Sequence, residues 1–134
     1  MNRNEKLNAL YQKYNLDKED IFKSPQGWKI ITRSGIDKLQ AGADVKIEYD
    51  LVVADVENQT YVVKAKGSLG EKAIETYGES SPANTRQKYP VAMAEKRAMS
   101  RVVLKLTGFY ELGVMGEDEA DDFGAAAKLH RQTL

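Results

Sequence analysis

The chain has 134 residues and a mass of 15.0 kDa, which at roughly 100 to 200 residues per domain makes it one domain. Its 20 Lys and Arg balance 20 Asp and Glu, so the whole molecule is not a polycation, and any electrostatic function has to come from an uneven distribution of charge. Cysteine is absent and the sole histidine is His130, which excludes disulfide scaffolds, thiol nucleophiles, thiolate metal sites and His-clustered zinc, and leaves a Ser-His-acid triad only if the tail folds back.

Leu7, Leu10, Tyr11 and Tyr14 recur at helical spacing and predict an amphipathic helix over 3–15. Asp17 to Phe22 reads as a further helical turn, broken by Ser24-Pro25-Gln26-Gly27. A β-rich run follows from Trp28 to Thr32. Ser34 is the expected N-cap of a short helix over Gly35 to Gln40.

From Val45 the period changes to two. Val45, Ile47, Tyr49, Leu51 and Val53 alternate with Lys46, Glu48 and Asp50, the pattern of a half-buried strand. Glu57-Asn58-Gln59 is a polar turn. Thr60 to Lys66 then returns antiparallel, with Tyr61, Val63 and Ala65 on one face and Val62, Lys64 and Lys66 on the other. A third strand is expected over Ala73 to Tyr77. The longest helix is predicted from Tyr89 to Leu106, with Pro90 in its first turn and Gly108 at its end.

These elements give an α+β fold: an antiparallel three- to four-stranded sheet packed against a long C-terminal helix, a β-β-β-α core with a short N-terminal helix. The expected division is an N-terminal helical segment over 1–26, the core over 27–110, and an acidic segment and tail over 111–134. No run of about 18 apolar residues occurs, and the MNRNEKLN start is no signal peptide. The expectation is a soluble, cytoplasmic protein without a membrane partner.

Charge is sharply partitioned late in the chain. Residues 84–110 carry six bases, Arg86, Lys88, Lys96, Arg97, Arg101 and Lys105, against Glu95, whereas residues 111–123 carry six acids and no base. On a wheel at about 100° per residue, Lys96, Arg97, Arg101 and Lys105 read as one basic side. Ala94, Ala98, Val91, Val102 and Leu106 read as a core-facing arc, with Glu95 in its middle and in need of a partner there. A basic helix in a neutral protein suggests a polyanion site, although adjoining blocks of opposite sign can also simply attract.

The run Thr32-Arg33-Ser34-Gly35-Ile36-Asp37-Lys38-Leu39, a meander, and then Tyr89-Pro90-Val91-Ala92-Met93-Ala94-Glu95-Lys96-Arg97-Ala98-Met99-Ser100-Arg101-Val102-Val103-Leu104-Lys105-Leu106-Thr107-Gly108 resembles phage and prokaryotic single-strand annealing recombination proteins, the Rad-fifty-two, Erf and Sak types. The likeness spans roughly residues 27–123. It implies subunits side by side in rings or filaments, single-stranded DNA in a shared basic groove, and annealing of complementary strands in recombination and repair without a cofactor or nucleotide hydrolysis. It also implies recombination partner proteins, although this chain lacks the long C-terminal region of larger members. Carried over by residue, Lys96, Arg97, Arg101 and Lys105 would be phosphate ligands, with Arg86 and Lys88 in the loop entering the helix and Lys64 and Lys66 on a strand. Trp28, Tyr77 and Tyr89 are candidate stacking rings. The reading requires Arg97 and Arg101 to face a shared channel; burial inside one subunit, or neutralisation by its own carboxylates, contradicts it.

An enzyme is not expected. Asp118 and Asp122 lack the strand-borne Asp/Glu and Lys pattern of a Mg²⁺ nuclease, and Gly67-Ser68-Leu69-Gly70-Glu71-Lys72 has the wrong spacing for a phosphate-cradling loop. The alternative is a protein-interaction module whose basic helix docks an acidic partner, or this chain's own residues 111–123 acting as an internal mimic of DNA.

Overall fold

The computed structural model describes residues 1–85 and 88–119. Helix α1 spans Arg3–Lys13, with the Asn2 side chain accepting from the Glu5 N–H at 2.9 Å. It buries Leu7 and stacks Tyr11 on Phe109, ring centroids 5.6 Å apart. The helical turn expected at 17–22 is absent. The Asp17 N–H is held by Asp20 Oδ2, and the Asp20 carbonyl accepts from the Thr32 N–H. These bonds compete with helix formation and draw the next residues into a short strand, β1 (Ile21–Lys23), antiparallel to β2 (Lys29–Ile31).

Helix α2 (Arg33–Ala43) starts earlier than its sequence suggests, because Thr32, not Ser34, is the N-cap: its Oγ1 accepts from the Gly35 N–H at 3.0 Å. The meander follows as expected, with β3 (Lys46–Asp55), β4 (Thr60–Leu69) and β5 (Lys72–Ser80) forming an antiparallel sheet in that order. Helix α3 (Pro90–Thr107) has Pro in its first turn and Gly108 at its end in the left-handed region, φ 92°, as the sequence predicts. A 3-10 turn (Tyr110–Leu112) leads to β6 (Val114–Gly116), which pairs parallel to β2. There are therefore two three-stranded sheets, and the second was not anticipated.

The core lies between α3 and the inward face of β4 and β5, where Tyr61, Val63 and Ala65 meet Ala94, Ala98 and Val102. The approach is close. A Cβ on Gly78 would lie 2.1 Å from the Ala94 carbonyl oxygen and 2.4 Å from the Ala98 nitrogen, so only glycine fits where the helix crosses β5. Helix α3 covers β4 and β5 and leaves β3 at an open edge. That is why Tyr49 and Leu51, on the inward stripe, remain exposed, Leu51 by 52%. A bulge between Leu51 and Val53 then turns Val53 to the other face, opposite Val62. Among the described residues, no helix is long and apolar enough to cross a membrane.

Candidate nucleic-acid interface

The small residues Ala94 and Ala98, one turn apart, decide which way α3 faces. Because they lie against Gly78, the side of the helix that carries them and Arg97 is the buried side over its first turns. Glu95 and Lys96 consequently point to solvent. The expectation of Glu95 in the core arc and of Arg97 on an open basic side is reversed.

Arg97 is 1% exposed. Its Nη1 donates to the Glu79 carbonyl (2.8 Å), Thr85 Oγ1 (2.8 Å) and Asn84 Oδ1 (3.3 Å), and its Nη2 donates to the Asn84 carbonyl (2.8 Å). These acceptors end β5 and form the loop that enters α3. Asn84 Oδ1 also accepts from the Ser81 N–H, and Ser80 Oγ donates to the Pro90 carbonyl at 2.7 Å. Arg97 therefore positions the loop and is corrected from phosphate ligand to structural anchor.

Arg101 is also engaged within the chain. It makes a two-pronged pair with Glu79 (3.2 and 3.1 Å), donates from Nε to Glu119 Oε1 at 2.8 Å, and reaches the Tyr77 carbonyl. Burial alone would lower the Arg101 pKa, but the hydrogen bonds and charges of Glu79 and Glu119 outweigh it and raise the value. Arg101 in turn holds the Glu79 carboxyl below its ordinary range. The condition stated for contradicting a helical track of Arg97 and Arg101 is thus met.

The other predicted ligands do not form one groove. Lys64 and Lys66 lie on the face of β4 turned away from α3. There, Lys64 is in register with Asp50 and Tyr77, and Lys66 with Glu48 and Glu75, so each stands beside at least one carboxylate. Lys105 is exposed near the far end of α3, its Nζ 4.9 Å from the centre of the Tyr110 ring. Nine positions separate it from Lys96, about half a turn beyond whole turns, so the two project from opposite sides. Arg86 lies outside the described residues.

What comes together is a smaller set at the start of α3: Lys88, Tyr89 (53% exposed) and, two turns on, Lys96. Beside it is a cleft of about 210 Å³ lined by Gln59, Ser81, Pro82, Thr85, Lys88 and Pro90. Tyr89, at the N-cap, makes no side-chain capping bond, so the first amides of an 18-residue helix face the Lys88 loop with their partial positive charge. Of the candidate rings, Tyr77 is on the outer sheet face beside Lys64 and Trp28 is half-buried beside β2; neither adjoins Lys64 and Lys96 at once.

A second acidic environment surrounds Tyr49. Burial, then the negative charges of Glu95 and Asp37, push its hydroxyl up to about 12. Among the described residues, no group of three His, Cys, Asp or Glu side chains is arranged to hold a metal ion. Arg33 was missed as a site residue: it donates from Nε to Asp118 Oδ1 at 2.5 Å and pairs with Glu117 at 3.5 Å. Its position directly after a strand and the acid triplet at 117–119 were the available signals. No family model, curated protein or solved structure matches the chain.

Proposed function

We propose that the protein binds single-stranded DNA and anneals complementary strands in cytoplasmic recombination, without nucleotide hydrolysis, through the Lys88, Tyr89 and Lys96 end of α3. The observation that carries this reading is the Arg97 anchor. A buried guanidinium ties Asn84 and Thr85 to the end of β5 and to α3, which anchors the approach to the helix end that carries Lys88 and Tyr89 and reduces the ordering needed on binding. Lysines recognise phosphates without sequence preference, and an exposed tyrosine offers a stacking face to any base. The resemblance of residues 89–108 to annealing proteins bears on the class of ligand alone, since the Arg97 and Arg101 positions it assigns to phosphate are engaged within the chain.

So few cations per subunit bind weakly, and repetition in a homo-oligomer supplies the missing affinity. The open β3 edge supports such association: Leu51, Val52 and Val53 are exposed along it, and an exposed apolar edge strand readily pairs with another chain. Mixing two complementary labelled oligonucleotides without nucleotide tests the reading. Annealing faster than the spontaneous rate is expected, and an unchanged rate would refute the annealing activity.

A second reading, a protein-interaction module for acidic partners, is favoured by one observation, that Arg33 and Arg101 already hold carboxylates. Competition between an acidic peptide and an oligonucleotide separates the two.

A further inference from the structure

We infer that Glu117, Asp118 and Glu119 are an internal stand-in for phosphates, seated on an anion site formed by Arg33, Arg101 and the first turn of α2, and that single-stranded DNA displaces them. This rests on the proposed DNA binding and adds its regulation.

The segment is delivered by the fold. Strand β6 pairs parallel to β2 with Ile31 opposite Gly116, and the helical turn at 117–119 that follows it meets Arg33 at the start of α2. Gly116 lets the strand lie on α3, since a Cβ there would stand 2.9 Å from Ser100 Oγ. The next three side chains then each meet an arginine. Glu117 Oε1 accepts from the Arg33 backbone N–H at 2.9 Å, and Glu117 Oε2 pairs with Arg33 Nη1 at 3.5 Å. Asp118, buried, takes Arg33 Nε at 2.5 Å, and Glu119 takes Arg101 Nε at 2.8 Å.

Three features mark the site as one for successive anions. Two guanidiniums bind successive carboxylates of one short helical turn at 117–119, and planar forks suit a carboxylate or a phosphate equally. A main-chain amide at the start of α2 adds a donor where the helix dipole favours negative charge. The segment is tied down by a strand of only three residues, and its outer pairs are partly solvated: the Arg33 and Glu117 side chains are 40% and 27% exposed. Surface pairs of this kind contribute little and weaken with salt, so a multivalent phosphate chain can replace them. Glu79 remains on Arg101 after displacement and keeps that arginine oriented.

The test is fluorescence anisotropy of a labelled oligo-dT with the parent chain and with E117Q/E119Q, at low and moderate salt. Removing both charges while keeping the side-chain shape should tighten binding roughly three- to tenfold at low salt, and R33Q/R101Q should weaken it relative to the parent. Equal affinity of E117Q/E119Q and parent overturns the latch while leaving the DNA reading intact. Absence of binding by every variant at low salt overturns both. E117Q alone, at the more exposed of the two contacts, serves if the double variant melts early. Hydrogen exchange on the parent adds a readout independent of mutation: amides 114–119 should lose protection when oligo-dT is added, and unchanged or increased protection would contradict displacement.

Discussion

Arg97 makes the energetic argument most directly. Its fork satisfies two backbone carbonyls and two side-chain oxygens at the end of β5 and in the 81–89 loop. Removing it deprives the part-buried Glu79 and Asn84 carbonyls of this donor, at a cost of about 1–3 kcal/mol each, whereas Asn84 Oδ1 keeps the Ser81 N–H. We expect R97M to lose about 3 kcal/mol or more in urea denaturation; a loss below about 1 kcal/mol would mean the residue is replaceable packing. Tyr49 gives a residue-scale test in pH. Its folded-state pKa is raised above the unfolded value of about 10, so the folded chain binds the extra proton between roughly 10 and 12, and the stability this confers is lost as pH rises through that window. Spectrophotometric titration, assigned by difference against Y49F, should find Tyr49 ionising late. E95Q should bring it part of the way back toward 10, because burial remains the larger cause; no change in E95Q would show that the Glu95 charge does not act on Tyr49.

Elements were legible where a periodic pattern ran long enough. The two-residue alternation from Val45 and again from Thr60, and the Pro90 to Gly108 frame, define β3, β4 and α3 to within a few residues. The three-residue strands β1 and β6 were not legible, since three residues carry no period and the β2–β6 pairing joins positions 85 apart. The core-facing arc of α3 was legible in Ala94, Ala98, Val102 and Leu106, all buried, but its edges were not: it takes in Arg97 and leaves Val91 and Glu95 outside. A hydrophobicity wheel treats every arginine as surface, whereas Ala94 and Ala98, lying against Gly78, bring Arg97 inward with them. Of the proposed site, Lys88 and Lys96 were legible as exposed bases, whereas Arg97 and Arg101 were not assignable without the acceptors in the 79–85 stretch. The close crossing predicts that G78A forces α3 away from β5 and costs about 3 kcal/mol by overpacking. A melting temperature within a degree or two of the parent would show that the contact is looser than described.

At the scale of the molecule, charge is arranged to hide as much as to display. Sheet lysines stand among carboxylates, Arg101 is held by Glu79 and Glu119, and Arg33 is held by Glu117 and Asp118. The neutral total of the sequence is thus repeated locally, and of the bases on and just before α3 expected to meet phosphate, Lys105 stays exposed at the far end of the helix and Lys88 and Lys96 toward its N-terminal end. If that end contacts phosphates, binding has a defined salt signature, since each lost contact with a single strand removes about 0.7 from the slope of log affinity against log salt. The measurement that bears most directly on this is an oligo-dT titration of parent and K88A/K96A across a salt series. The account predicts weaker binding by the variant and a slope shallower by roughly 1.4 per engaged subunit, with the fold retained; identical affinity and slope in the two proteins would contradict it.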